Sequence, residues 1–193
     1  VRSSCLGPQY GLVYPGIGWL LFRDRKDLPE ELIFRVHYLG GEEATYTLNF
    51  SRGSSMMLAQ YYMLLRLGRD GYRRIHATSL SNARVLAERL AEDPRFRLVG
   101  AARHLPIVTF SVAPGAGFSE TGLSEKIRER GWILPAYTLP PDMEDRYVLR
   151  VVVKENFSRD MADLLWMDID RAARALSGAG GPLRKGRRKP AVC

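Results

Sequence analysis

Segments with strand-like and helix-like apolar spacing alternate along this chain, and the alternation restricts it to mixed α/β folds. The strand-like runs are Gly16–Arg23, Leu32–Tyr38, Ala44–Phe50, Phe96–Val99, Ile107–Val112, Trp132–Leu134 and Tyr147–Val153. Helical spacing occurs over Ser54–Leu65, Tyr72–Ala91, Ser119–Arg130 and Ser158–Leu176. Because Ile107–Val112 is almost continuously apolar, we predict that it is a central strand. The expected structure packs helices on a sheet.

Local signals indicate where several helices begin and end. Met56–Leu65 is so densely apolar that we expect its helix to be largely buried. Gly68 and Gly71 predict a break after that helix. Ser119 is a predicted N-cap, and Gly131 suits the left-handed position past a helix end.

Composition disfavours several classes of protein. Apolar stretches such as Ile17–Phe22 are far shorter than the roughly 18 to 20 residues that a membrane-spanning helix needs, so we expect no membrane association. The three histidines are too widely spaced for a metal cluster. Cys5 and Cys193 lie near the two ends, which favours a reducing, cytoplasmic setting over a disulfide scaffold. The first residues include neither an initiator Met nor a signal peptide, so we expect a fragment.

The net charge of +8 is concentrated in the last residues. Five Lys and Arg residues and no acid follow Ser177, which leaves 8 − 5 = +3 on the remainder. That remainder has the interspersed charges of a solvated surface, so we do not expect nucleic-acid binding. Residues 177–193 have too few apolar side chains to pack, and we expect a disordered basic tail.

Three blocks of sequence carry a resemblance to one family. They are Tyr10–Trp19 (YGLVYPGIGW), Tyr38–Gly41 followed by Asn49–Arg52, and Gly131–Thr138 (GWILPAYT). In this order and spacing they resemble the glutamate decarboxylases, which are pyridoxal-phosphate-dependent enzymes of group II. The resemblance covers nearly all of Tyr10–Leu176.

The resemblance implies a fold and a domain plan. The fold is the C-terminal part of the α/β, aspartate-aminotransferase-like architecture (fold type I), in which a large cofactor domain precedes a small α/β domain. Residues 1–67 would be the end of the large domain, with a lid hairpin and a connecting helix. Residues 68–176 would be the small C-terminal domain. The resemblance further implies pyridoxal 5'-phosphate as cofactor, L-glutamate as substrate and a homodimer or larger homo-oligomer.

Position 9 departs from the family pattern. In the family, the lysine that holds the cofactor lies directly before the aromatic-Gly pair matched by Tyr10 and Gly11. This chain has Gln9 there, and a glutamine amide cannot form a Schiff base. The chain is either an inactive relative, or unrelated sequence is joined upstream of Tyr10; the abrupt end of the resemblance favours the second explanation. In both cases we expect the chain alone to be inactive.

Arg150 is a candidate substrate-binding residue. It lies within the apolar run Tyr147–Val153, where a buried charge needs an anionic partner. From the residues alone, a structural carboxylate is an equally good partner. By resemblance, Arg150 matches the arginine that binds the substrate α-carboxylate, and a planar guanidinium suits that bidentate contact.

Three further site residues are implied by the resemblance. Ser51 matches the serine that reaches the cofactor phosphate of the neighbouring subunit, although on its own it is a common turn or helix-cap serine. Thr45, in the hairpin arm before it, is a second cofactor-binding candidate. Tyr38 matches the aromatic residue of a mobile hairpin that closes over the site, and is otherwise a half-buried strand tyrosine.

The leading functional hypothesis is decarboxylation of L-glutamate to 4-aminobutyrate and CO2. The alternative is a non-catalytic dimerisation or regulatory relative on the same fold, which Gln9 favours if it is genuine. A third hypothesis, in which the tail binds nucleic acid or anionic lipid, rests on five charges alone. Plant relatives carry a C-terminal calmodulin-binding helix, but Pro182 and Pro190 argue against one here.

Overall fold

The structure is a computed structural model, and it describes residues 3–6, 8–13, 16–37, 40–45 and 53–178. Its helices are α1 (Pro8–Gly11), α2 (Ser55–Glu92), α3 (Glu120–Arg128) and α4 (Arg159–Gly178), with short 3₁₀ turns at Arg25–Asp27 and Glu30–Leu32. Its strands are β1 (Ser3–Leu6), β2 (Trp19–Phe22), β3 (Phe34–Val36), β4 (Glu43–Thr45), β5 (Phe96–Ala101), β6 (Ile107–Val112), β7 (Ala136–Thr138) and β8 (Tyr147–Val152). The predicted mixed α/β class is confirmed.

The chain divides into two compact units, Val1–Arg74 and Ile75–Cys193. The predicted domain boundary lies after Leu67, close to a kink in α2 at Gly68, where the backbone is non-helical with φ 54° and ψ −171°. Glycine tolerates that left-handed φ without steric penalty. The assignment of the two parts to a large and a small domain stays a prediction.

The first unit contains two antiparallel strand pairs. β1 pairs with β2, and β3 pairs with β4 so that Phe34 lies opposite Thr45. The predicted hairpin is therefore present in the described residues. Its connecting residues 38 and 39, and residues 46–52 after β4, lie outside the described part of the chain.

The first turns of α2 correct one expectation. We expected a largely buried helix, but six of its apolar side chains are exposed within this chain. They are Met57, Leu58, Tyr61, Tyr62, Leu64 and Leu65. Apolar spacing reports which side chains need cover, whereas burial depends on what packs against them. In the described residues, nothing covers this face.

The second unit is built on one antiparallel sheet in the order β5-β6-β8-β7. β6 is hydrogen-bonded to β5 on one side and to β8 on the other, which confirms its predicted central position. The predicted strand Trp132–Leu134 is wrong, since the strand begins later, at Ala136. The Leu134 carbonyl instead accepts a hydrogen bond from the Ser124 hydroxyl. That contact ties the segment to α3 rather than to a neighbouring strand.

The core of the second unit lies where α2, α3 and α4 pack against the sheet. Alternate side chains of β6 and β8 enter one apolar cluster with side chains of the three helices. The fully buried members include Leu86, Leu90, Val108, Phe110, Leu123, Ile127, Leu149 and Ile169. Phe96 and Phe110 meet edge to face, with ring centroids 5.5 Å apart. The alternation leaves the intervening side chains on the opposite face of the sheet.

The predicted helix ends are confirmed where the structure shows them. The Ser119 hydroxyl accepts from the Gly122 amide at 3.1 Å and caps α3. The Ser158 hydroxyl accepts from the Met161 amide at 3.2 Å and caps α4 in the same way. Gly131, which follows α3, has the left-handed φ of 84°.

Arg95 joins the turn before β5 to α4 through two carboxylates. Its guanidinium donates to Asp93 and to Asp170. The hydrogen bond from Arg95 lowers the pKa of Asp93 below its usual range. Burial disfavours the charged form of Asp170, but hydrogen bonds from Arg95 and Arg174 outweigh it, so the pKa of Asp170 is lowered as well.

Replacing Arg95 with Met should reduce the free energy of unfolding near neutral pH by about 1 to 3 kcal/mol, because two partly buried carboxylates lose a charged donor. Both carboxyls have a pKa below their ordinary value of 3.8 in the folded chain, so their contribution is present above that value and is lost as the pH falls through the lowered pKa values. Urea unfolding at about pH 7 and about pH 3 should show a weaker acid dependence in the variant.

Arg97→Met provides the matched control, since Arg97 is an exposed arginine on the adjacent β5. It should alter neither the stability nor its pH dependence. An Arg95→Met chain whose stability falls with acid as steeply as that of the unsubstituted chain would contradict the assignment.

Candidate active site

Arg150 lies on β8 between two core residues, yet its own side chain is exposed. Leu149 and Val151 point into the apolar cluster, and the two-residue period of a strand places Arg150 on the opposite face. The sequence argument was that a charge buried in this apolar run would need an anionic partner, and the exposure of the side chain removes that need. The apolar run is a strand, and its two faces have different surroundings.

The surroundings of Arg150 are aromatic rather than acidic. Its guanidinium carbon lies 5.3 Å from the centroid of the Tyr137 ring on β7. Its backbone amide donates to the Pro135 carbonyl at 3.3 Å, and Thr109 on β6 is its strand partner. In the second unit as far as it is described, no carboxylate forms an ion pair with Arg150. The structural-carboxylate interpretation therefore lacks a partner there, and the charge is left available to an external anion.

The segment before Tyr137 is fixed by side chains that sequence reasoning missed. Asp168 of α4 is buried, and its carboxylate accepts from Trp132 Nε1 at 2.9 Å and from Arg130 Nε at 3.1 Å. Ser124 of α3 donates to the Leu134 carbonyl. The available signal was the Gly131–Thr138 block itself, whose contact partners lie far away in sequence.

Next to Arg150 is a small cavity of about 160 Å³. Its walls are mainly apolar side chains from the Trp132–Leu134 segment, from β8 and from α4. The cavity and Arg150 both belong to the second unit. Arg150 is thus one of the residues that line this mostly apolar recess, together with the core residues Val151 and Leu165.

A second set of contacts, in the first unit, fixes the backbone directly after position 9. The Gly11 carbonyl accepts from Tyr72 Oη at 2.8 Å and from Gln60 Nε2 at 3.1 Å. The same Gln60 nitrogen lies 3.1 Å from Tyr72 Oη, so the three groups form a closed triangle. Gln60 is 2% exposed, which makes its hydrogen bonds strong restraints because a buried amide needs partners. Gln60 and Tyr72 were not predicted as site residues.

Glycine is required at position 11 by close approach. A Cβ atom there would overlap the Gln60 side-chain oxygen. Leu12 follows with a left-handed φ of 59°. This conformation costs a residue other than glycine about 1 kcal/mol. Such a backbone persists where its surroundings hold it, and the Gln60–Tyr72 triangle does so one residue earlier.

The remaining predicted site residues are placed as follows. Thr45 is buried at the end of β4, with 8% of its surface exposed. Tyr38 and Ser51 lie outside the described residues. For Gln9 the structure describes the backbone, which lies in α1, and not the side chain. The structure therefore joins Arg150 to Tyr137, while the roles proposed for Tyr38, Thr45, Ser51 and Gln9 stay predictions.

Neither a metal-binding cluster nor a membrane-spanning helix is present in the residues that the structure describes. There, His, Cys, Asp and Glu side chains form no group of three or more that could hold a metal ion. In the same residues, no helix has the length and apolarity needed to cross a membrane.

Comparison with known proteins identifies the family. Residues 1–113 match the pyridoxal-dependent decarboxylase conserved domain. The chain belongs to the pyridoxal-dependent decarboxylases. Within the family it is similar to Glutamate decarboxylase 1 of Arabidopsis thaliana, with 48% identity over 170 residues, which cover 88% of this chain and 34% of that protein.

Solved structures agree with this membership. The chain is similar to the glutamate decarboxylase of Lactobacillus brevis, with a TM-score of 0.80 and 38% identity over 92% of this chain and 41% of that one. A likeness to a cysteine desulfurase of Escherichia coli, with a TM-score of 0.65 and 16% identity over 91% of this chain and 47% of that one, concerns the fold alone. The predicted aspartate-aminotransferase-like fold is confirmed.

The chain spans about a third of the length of the curated relatives that it matches. That the matched third is the C-terminal one stays a prediction. The family domain is matched from residue 1, upstream of Tyr10, and Ser3–Leu6 pairs in register with Trp19–Phe22. Both findings weigh against the interpretation that unrelated sequence precedes Tyr10. Gln9 therefore lies inside the family domain.

Position 9 does not fit covalent attachment of a pyridoxal cofactor. The Gly11 carbonyl is held tightly two residues later, but residue 9 supplies an amide instead of an amine. The first lysine in the sequence is Lys26, which is exposed within the 3₁₀ turn Arg25–Asp27. The backbone framework at this position is thus present without the group that the cofactor aldehyde would need.

We predict that the chain forms no Schiff base with pyridoxal phosphate at position 9. After incubation with the cofactor and borohydride, peptide mass spectrometry should find no reduced adduct in the peptide that contains Gln9. The Gln9→Lys variant is the matched control and should acquire such an adduct, because the lysine adds the missing amine. An adduct in the unsubstituted Gln9 peptide would overturn the assignment.

The Gly11–Gln60 contact predicts a coupled effect on stability. Gly11→Ala should reduce the free energy of unfolding by about 1 to 3 kcal/mol, because the added methyl group overlaps the Gln60 amide. In a Gln60→Ala background the same change should have little further effect, because the overlapping group is gone. Urea unfolding of both single variants and the double variant measures the coupling.

Gly41→Ala is the matched control for this series, since a Cβ atom at Gly41 meets open space. Gly41→Ala should change the free energy of unfolding by the same amount with Gln60 and with Gln60→Ala. Equal penalties for Gly11→Ala with and without Gln60 would show that the close contact does not restrain this segment.

Proposed function

We propose that the protein containing this chain is a glutamate decarboxylase, which converts L-glutamate to 4-aminobutyrate and CO2. In this proposal Arg150 binds the substrate α-carboxylate. The supporting observation is that Arg150 is an exposed arginine on a rigid sheet with an aromatic neighbour and with no acid paired to it in the described residues. The similarity to glutamate decarboxylases from a plant and a bacterium supports the choice of substrate.

The chemistry of the guanidinium suits this role. Its two parallel N–H groups match the two oxygens of a carboxylate, so one contact fixes both the position and the plane of the group that leaves as CO2. A contact of this kind orients the bond to be broken, and orientation contributes strongly to rate. The strand supplies rigidity, since Leu149 and Val151 on either side are packed in the core.

The proposal extends to the first unit and to assembly. Tyr38 would close over the site, and Thr45 and Ser51 would contribute to binding the cofactor phosphate. The exposed apolar side chains at the start of α2 support an oligomeric protein, because a contiguous apolar face of this kind marks a surface that is covered in the assembled state. We also propose a cytoplasmic location, on the basis of the two widely separated cysteines.

A second candidate function has an observation in its favour. The family domain is matched across position 9, where the chain carries glutamine. A relative that retains the fold and the carboxylate-binding arginine but lacks the amine would act as a dimerisation or regulatory partner. The two candidates differ in whether catalysis appears with glutamine or only with lysine at position 9.

A chimera separates the candidates. This chain would replace the matching third of the Arabidopsis thaliana relative, once with Gln9 and once with Gln9→Lys, and the release of CO2 from labelled glutamate would be measured. In the active form, Arg150→Met should reduce turnover by about two orders of magnitude or more, since truncating a charged contact in a desolvated site weakens binding by roughly 3 kcal/mol. Folding and the cofactor spectrum should be unchanged.

Arg97→Met is the matched control, because Arg97 pairs with Ser111 on the face of the sheet that Arg150 also occupies. It should retain normal turnover. Activity with Gln9→Lys alone would assign the natural chain to the non-catalytic relatives. If neither chimera releases CO2, the proposed activity is wrong. If Arg150→Met loses stability while its folded fraction keeps normal turnover, the proposed role of Arg150 is wrong.

A further inference from the structure

We propose that Tyr137 is a positioning residue for Arg150, which it holds in place by stacking while leaving the guanidinium free to bind a carboxylate. The inference rests on the proposed function for the identity of that carboxylate. Tyr137 belongs to the Gly131–Thr138 block, which the proposed chemistry otherwise leaves without a role.

Strand register brings the two residues together. Tyr137 on β7 lies opposite Val148 on β8, and Arg150 is two residues further along the same strand. Residues two apart share a face, so Tyr137 and Arg150 are diagonal neighbours on the side of the sheet opposite the core. At 5.3 Å, the separation between the guanidinium carbon and the ring centroid lies within the range of a cation–π contact.

The ring sits on a well-anchored segment. Trp132 donates a hydrogen bond to the buried Asp168, and the Leu134 carbonyl accepts one from Ser124 of α3. From Ala136 to Thr138 the backbone is paired with β8. The Pro135 carbonyl also accepts from the amide of Arg150 itself. The block therefore places the tyrosine at a fixed position relative to the arginine.

Stacking can restrain the arginine side chain without neutralising its charge, which an ion pair cannot do. An exposed arginine loses rotamer entropy when it binds a ligand, and a restraint present beforehand reduces that loss. A carboxylate partner would supply the restraint but would occupy the N–H groups and neutralise the charge. A cation–π contact supplies no acceptor oxygen and no negative charge, so the N–H groups and the charge of the guanidinium remain available to a substrate carboxylate.

The test uses the 193-residue chain and labelling of arginine by phenylglyoxal, followed by peptide mass spectrometry at Arg150. Tyr137→Leu should raise the labelling rate of Arg150 by about two- to fivefold, which is the range expected for losing one exposed cation–π contact. Glutarate, a dicarboxylate probe, should protect Arg150, and Tyr137→Leu should weaken that protection by a similar factor. Tyr137→Phe keeps the ring and should behave like the unsubstituted chain.

Tyr147→Leu is the matched control. Tyr147 is a half-buried strand tyrosine that lies one residue from Val148 and therefore on the opposite face from Arg150. It should change neither the labelling rate nor the protection.

Each departure has a distinct meaning. An unchanged labelling rate in Tyr137→Leu would overturn the stacking itself, whatever reaction the protein catalyses. A change in Tyr137→Phe as large as that in Tyr137→Leu would assign the effect to the hydroxyl and overturn the inference. If glutarate protects Arg150 equally in all variants, the role of Tyr137 falls while that of Arg150 stands. If glutarate protects Arg150 in none of them, the proposed carboxylate site fails and the positioning role fails with it.

Discussion

The architecture of the second unit depends on the two-residue period of β8. Leu149 and Val151 are held in the apolar cluster by α2, α3 and α4. Their burial fixes the direction of the one side chain between them, that of Arg150. Arg150 therefore points away from this cluster, and its side chain is exposed. A shift of one residue in the register would place the guanidinium in the core and two apolar side chains in solvent, which hydrophobic burial strongly opposes. Core packing thus determines the position of the candidate substrate-binding charge.

Polar contacts with the helices also fix the position of the segment between α3 and β7. Asp168 on α4 accepts from Arg130 and Trp132, and a carboxylate that is this buried holds its donors firmly because leaving it without partners would be costly. The segment after α3 is thereby tied to the same helix that packs on Leu149 and Val151. Tyr137 and Arg150 lie on different strands, but the same core and the same helix hold both.

Much of this arrangement could be predicted from the sequence, and the failures have a common physical origin. Ile107–Val112 and Ser119 were predicted correctly because apolar continuity and an N-cap are local signals. Trp132–Leu134 was read as a strand because its composition suits one, whereas its hydrogen bonds go to Ser124 and Asp168, which lie outside the segment. The prediction that the start of α2 is buried failed for the same reason, since burial is decided by partners that are distant in sequence. Tyr137 lies within the Gly131–Thr138 block, and only its contact with Arg150 indicates a role for it.

The first unit shows that backbone geometry and chemistry at one site can be separated. Gln60 and Tyr72 both bond to the Gly11 carbonyl, and the absence of a side chain at Gly11 allows this close approach. None of these contacts involves the side chain of residue 9, so replacing lysine by glutamine there removes an amine without removing any of them. Retention of the triangle beside Gln9 is therefore compatible with a decarboxylase and with a non-catalytic relative. What distinguishes the two is the functional group at one position, because the fold around it does not depend on that group.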